Sequence, residues 1–146
     1  MNNANHIIAS AGKQGRTVLT EIEAKQVFKS IGINTVETRL AASLKEATAI
    51  SDDIGFPVVL KIASPDITHK SDAGGVKVGL NNKTEVRKAY GEIMASARQK
   101  YPAARIEGVA VQSMARPGIE IIIGMFKDSQ FGPVIMFGLG GFSWRF

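Results

Sequence analysis

The chain has no cysteine, so neither a disulfide nor a thiolate metal site can form, and a cytoplasmic location is the expected one. Its only histidines are His6 and His69, and a lone imidazole with no second His or Cys nearby is a poor metal site. No apolar run reaches the roughly 18 to 20 residues needed to cross a bilayer. The opening Met1 to His6 is polar and lacks the basic, apolar and small-residue sections of a secretory signal. Lysine and arginine outnumber acidic residues, 18 to 13, but they are scattered and interleaved with Glu and Asp. Without a basic stripe carrying aromatics, nucleic acid is not an expected partner. Neither GxxxxGK[ST] nor a strand followed by GxGxxG occurs, so P-loop and Rossmann readings lose support. What remains is a chain of 146 residues, 45% hydrophobic and 21% charged. That is enough for one domain with a core, or for part of a larger one.

The local pattern is readable. Thr20-Glu21-Ile22-Glu23 is a capping box that opens a helix, with Ile22, Val27, Phe28 and Ile31 at helical spacing and Gly32 as its stop. Ser43-Leu44-Lys45-Glu46 opens another, with Leu44, Ala47 and Ile50 expected to face inward. Val58 to Ile62 reads as a buried strand, and Val76 to Leu80 as a second. Between them lies a polar, glycine-containing stretch from Ser64 to Gly75. Asn82 with Glu85 caps a third helix, whose inner face would be Val86, Ala89 or Tyr90, Ile93, Met94 and Ala97. Val109 to Met114 and Ile119 to Ile123 flank Arg116-Pro117-Gly118, which suits a type II turn, so these runs are expected to pair as a hairpin. Val134 to Phe137 is a further strand, ending in Gly138-Leu139-Gly140-Gly141. Mixed helices and strands with a late antiparallel hairpin predict an α+β fold.

Chemistry concentrates in the run from Lys61 to Val76. Lys61 sits within an apolar strand, where its ammonium is costly unless it meets an anion. Adjacent glycines let backbone amides approach phosphate oxygens, so a loop between two strands could cover a polyphosphate as a flap. A surface hairpin whose glycines satisfy only turn geometry is the plainer alternative. His69 could act as base, ligand or phosphoryl acceptor, or simply hydrogen-bond within its loop. Glu120 could accept from sugar hydroxyls or face solvent on an alternating strand. Lys25 by itself reads as an exposed helix lysine.

Taken together, LTEIEAK, GFPVVLKIASPDITHKSDAGGVKVGL, VAVQSMARPGIEIIIG and FGPVIMFGLGG resemble the ATP-grasp domain of ADP-forming acetyl-CoA (acyl-CoA) synthetases. The resemblance runs from about Gly15 to Gly141, and HKSDAGGV is its most specific part. Related domains occur in succinyl-CoA synthetase β chains and in some bacterial protein acetyltransferases. The resemblance implies two α+β lobes gripping ATP or ADP. It assigns Lys25 and Lys61 to the nucleotide phosphates, and Ser71, Asp72, Gly74 and Gly75 to a loop over the β- and γ-phosphates. Gln112, Ser113, Met114 and Ala115 would meet the adenine edge, largely through backbone groups, and Glu120 the ribose. His69 would be a phosphohistidine relay, receiving phosphate from a CoA-ligase subunit or domain. The implied reaction is acyl-CoA + ADP + phosphate giving acid + CoA + ATP.

The implied organisation is an N-terminal helical or linker segment over 1–19, a first lobe over 20–107 and the start of a second over 108–141. Mg²⁺ is implied too, but the family's ligands for it follow the GLGG, so none is expected in this chain. The last residues, 142–146, depart from the family, whose GLGG continues Ile-Phe-Val-Glu-Val-Leu. A coding sequence for Gly-Ile-Phe-Val-Glu-Val-Leu that loses the third base of its glycine codon can be read as Gly-Phe-Ser-Trp-Arg-Phe and a stop. A one-base frameshift is therefore expected, leaving exposed aromatics at Phe142, Trp144 and Phe146, a truncated second lobe and a fragment inactive alone. Two other readings fit the residues. One is a non-catalytic nucleotide-binding or subunit-docking module, the other the ATP-grasp part of a protein acetyltransferase.

Overall fold

A computed structural model describes residues 3–67 and 69–140; the expectation for 142–146 lies outside them. The chain divides into two compact units, Met1–Met114 and Ala115–Phe146.

In the first unit, α1 (Asn3–Lys13) and α2 (Glu21–Ser30) precede β1 (Thr38–Ala41), α3 (Leu44–Ile54), β2 (Val58–Ala63), β3 (Val76–Leu80), α4 (Lys83–Lys100) and β4 (Gly108–Ser113). The expected capping residues start the helices. Thr20 Oγ1 accepts from the Glu23 amide while Glu23 returns a carboxylate to the Thr20 amide. Ser43 and Asn82 do the same for the third amides of α3 and α4. The strands form one antiparallel sheet in the order β1-β4-β2-β3. Its core face carries Val58, Leu60, Ile62, Val109 and Val111, packed against Ala47 of α3 and Val86, Ala89, Ile93 and Ala97 of α4. Leu44 is exposed rather than inward, because it opens the first turn of α3 and the face toward the sheet begins at Ala47.

The expected hairpin between the 109–114 and 119–123 runs does not form. β4 pairs with β1 along one edge and β2 along the other, so neither edge is left for a third strand. In the second unit, β5 (Ile121–Asp128) instead pairs with β6 (Gly132–Leu139), from Ile121 opposite Leu139 to Asp128 opposite Gly132. The turn is closed by Asp128 Oδ1, which accepts from the amides of Gln130 (2.8 Å) and Phe131 (3.0 Å).

Candidate functional site

Side chains alternate between the two faces of a strand. Leu60, Ile62, Val109 and Val111 face the helices, so Lys61 and Gln112 must point to the opposite side. Directly paired residues share a face, and Thr38 lies opposite Gln112, Val59 opposite Gln112, and Val76 opposite Lys61. The register therefore places Thr38, Lys61 and Gln112 on one surface. Helix α2, which packs against β1, adds Glu21 and Lys25, four residues apart and so on the same helix face.

These residues meet around the carboxylate of Glu21. Its Oε1 accepts from Lys25 Nζ at 3.0 Å and Lys61 Nζ at 2.8 Å, and its Oε2 accepts from Lys70 Nζ at 3.0 Å. The Gln112 side-chain oxygen accepts from Lys25 (2.6 Å) and Lys61 (3.1 Å), and Thr38 Oγ1 accepts from Lys25 at 2.7 Å. Burial pushes the Glu21 carboxyl up, but the hydrogen bonds from Lys61, Lys25 and Lys70 outweigh it and hold the group at about 2. Desolvation pulls Lys25 below its ordinary value against the support of Glu21, with Lys61 and Lys70 adding repulsion. Three ammonium groups thus face one carboxylate. The cluster retains excess positive charge in a half-buried setting, where an incoming anion is screened little.

A cleft lined by Glu21, Lys61, His69, Lys70, Ser71, Asp72 and Val76 opens beside the cluster. The loop that carries His69 to Asp72 is pinned on both sides. Ile67 and Ala73 are buried in the core, Ser96 Oγ donates to the Ala73 carbonyl (2.7 Å), and Lys100 Nζ donates to the Asp72 carbonyl (2.7 Å). Within it, the amides of Gly74 and Gly75 donate to the carbonyls of Ser71 (2.9 Å) and Lys70 (2.8 Å). His69, Ser71 and Asp72 are exposed. Gly75 is buried, and a Cβ on it would lie 2.5 Å from Ile62 Cγ2. Close packing thus accounts for Gly75 at the foot of the loop.

Of the residues singled out in the sequence, Lys25, Lys61 and Gln112 are brought into direct contact, with His69, Ser71 and Asp72 lining the adjoining cleft. Gln112 contributes its side chain, since its backbone runs between β1 and β2. The Ser113 amide donates to the Glu37 carbonyl (3.1 Å) and the Met114 amide to the Pro57 carbonyl (3.3 Å). Ala115 and Glu120 belong to the second unit. Glu120 sits just before β5 rather than on it, its carbonyl accepting from the Gly140 amide at 2.8 Å.

Sequence reasoning missed Glu21, Lys70 and Thr38. The Glu21–Lys25 spacing of four was a visible sign of pairing; Lys70 lay within the HKSD motif; Thr38 had no sign. The donors around Glu21 also bear on Mg²⁺. Both carboxylate oxygens already accept from lysines, and three ammonium groups would repel a divalent cation, so this cluster does not fit a metal site.

An ATP-grasp domain model matches residues 10–146. The β subunit of an ADP-forming acetate–CoA ligase I from Pyrococcus furiosus is 48% identical over 138 residues, covering 94% of this chain and 59% of that one. A solved Ca. Korarchaeum cryptofilum dinucleotide-forming acetyl-coenzyme A synthetase 1, in complex with coenzyme A, Ca-AMPCP and HgCl⁺, superposes with a TM-score of 0.91 at 52% identity. It covers 95% of this chain and 61% of its own. Another structure of that enzyme, with coenzyme A, acetyl-coenzyme A and a phosphorylated phosphohistidine segment, gives 0.83 at 48% identity, covering 95% and 60%. The chain thus spans about three fifths of the length of these relatives.

Proposed function

The chain belongs to the ATP-grasp domain family, and from that premise we propose that it is the nucleotide-handling part of an ADP-forming acyl-CoA synthetase. The observation that carries this is the convergence of Lys25, Lys61 and Lys70 on one carboxylate, beside a cleft lined by His69. Such a cluster binds a polyphosphate, because each ammonium can exchange the shared carboxylate for a phosphate oxygen. Ser71, Asp72, Gly74 and Gly75 form the loop at its rim. Ser113 to Ala115 are proposed for the adenine edge and Glu120 for the ribose, while Gln112 serves the lysines through its side chain.

In this reading His69 carries the phosphoryl group. A terminal oxygen of ADP attacks the phosphorus of phospho-His69 with its other ring nitrogen protonated, the N–P bond breaks as a P–O bond forms, and the ring leaves as a neutral imidazole keeping that proton. The lysines offset the charge gathered on the transferring oxygens. The overall reaction is acyl-CoA + ADP + phosphate giving acid + CoA + ATP. Its acyl and CoA chemistry falls to a CoA-binding subunit or domain, and Mg²⁺ to residues outside the lysine cluster.

The test is transfer of label from γ-³²P ATP in a protein extended to its relatives' full length. Acid-labile label on His69 is expected, and a His69→Ala protein labelled to the wild-type level would overturn the relay. A non-catalytic nucleotide-binding module is a second reading. It predicts nucleotide binding with no label on His69 even in the extended protein.

A further inference from the structure

The polar groups around the three lysines are of two kinds. Thr38 Oγ1 and Gln112 Oε1 are neutral acceptors on the sheet, fixed by the β1–β4–β2 register. Among the described residues whose side chains accept from these lysines, Glu21 alone is charged, and it arrives from a helix rather than from the sheet. It is also the only one of the three that touches all of Lys25, Lys61 and Lys70. Both of its oxygens are engaged, one by two ammonium groups and the other by the third. That is the bonding a terminal phosphate would offer the same lysines.

An anion that binds these ammonium groups must then contend with Glu21. A phosphate and a carboxylate drawn to the same three cations repel each other across a short, half-buried gap, where screening is weak. The neutral acceptors raise no such conflict and can keep Lys25 and Lys61 in place throughout. One carboxylate among three ammonium groups also leaves charge uncompensated, so exchanging it for a more highly charged polyphosphate is favourable.

We propose that Glu21 is an internal stand-in for phosphate: it holds Lys25, Lys61 and Lys70 together, and a nucleotide polyphosphate binds by displacing it. Glu21 is thus a positioning residue that also sets how readily the nucleotide leaves. Its removal tightens binding, whereas losing a purely supporting residue weakens it. The inference rests on the nucleotide-binding reading above.

The experiment is calorimetric titration of ADP and of inorganic tripolyphosphate into the whole chain and its Glu21→Gln variant, at several salt concentrations. Glu21→Gln is expected to bind both ligands about fivefold tighter or more, and to lose affinity more steeply as salt rises. Glu21→Asp, which keeps the charge, is expected to restore the wild-type salt dependence, and Gln112→Ala to weaken binding. If Glu21→Gln binds as the wild type does, or more weakly, the inference is overturned while the nucleotide reading stands. If neither protein binds either ligand, both fall. A measurement on the wild type needs no folded variant: the ¹³C signal of the Glu21 carboxylate should move on adding tripolyphosphate. A bound ligand that leaves that signal unmoved overturns displacement.

Discussion

A Cβ placed on Gly75 would lie 2.5 Å from Ile62 Cγ2 and 3.0 Å from the Lys70 carbonyl, at the foot of the loop that presents His69. Gly75→Ala should therefore cost about 1 to 3 kcal/mol, read as a lower urea midpoint; an unchanged midpoint would contradict the packing described. The carboxyls of Glu21 and Glu23 make stability depend on acid pH. The Arg16 guanidinium, bonded to Glu23 at 2.6 and 2.9 Å, holds that carboxyl at about 2, as the lysines hold Glu21. Both folded-state values lie below the ordinary 4.5. Their contribution is therefore complete above about pH 4.5 and is lost as the pH falls toward 2. The melting temperature should decline through that window, and less steeply in Glu21→Gln. An identical decline in the variant would contradict the role given to Glu21. Lys61 was legible in the sequence because a lysine in an apolar strand demands an anion. Glu21 was not, because a glutamate in a helix's first turn already has a sufficient explanation in the helix dipole.

Helix α2 is short, with no fully buried residue, so its start depends heavily on its cap. Thr20 supplies that cap, its hydroxyl accepting from the Glu23 amide at 3.3 Å while its own amide donates to the Glu23 carboxylate at 2.8 Å. Thr20→Ala should cost about 1 kcal/mol and weaken ADP binding as well, since Lys25 rides on the turn that follows. Loss of stability with unchanged ADP affinity would show that Lys61 on the sheet and Lys70 on the loop suffice. All three expected capping motifs were legible because each rests on contacts within four residues. The partner of β4 was not. A Pro-Gly turn signal joined it to the next apolar run, but strand pairing is settled by which edges are open, and β1, a four-residue strand given no role in the sequence reading, already occupied one of them.

At the scale of the molecule, the whole buried cluster from Ala41 to Val111 lies in the first unit. The β5–β6 hairpin presents Ile121, Ile123, Met125, Phe126, Ile135, Met136 and Phe137 to solvent. A chain ending at Met114 should accordingly melt cooperatively within a few degrees of the full chain. Loss of cooperativity would show that the core depends on the hairpin. The fold class was legible as α+β, and the ATP-grasp resemblance was carried by a few dense motifs such as HKSDAGGV. What those motifs could not convey was the four-stranded register that turns residues 23 to 74 positions apart, Thr38, Lys61 and Gln112, into one surface. That surface bears the central claim, that the lysines around Glu21 receive nucleotide phosphate. Calorimetric titration of ADP into the chain and its Lys61→Ala variant tests it most directly. The wild type should bind, and the variant should bind about tenfold or more weaker, as expected for a lost hydrogen bond to a charged group; equal affinity in the two proteins, or no binding to the wild type, would contradict it.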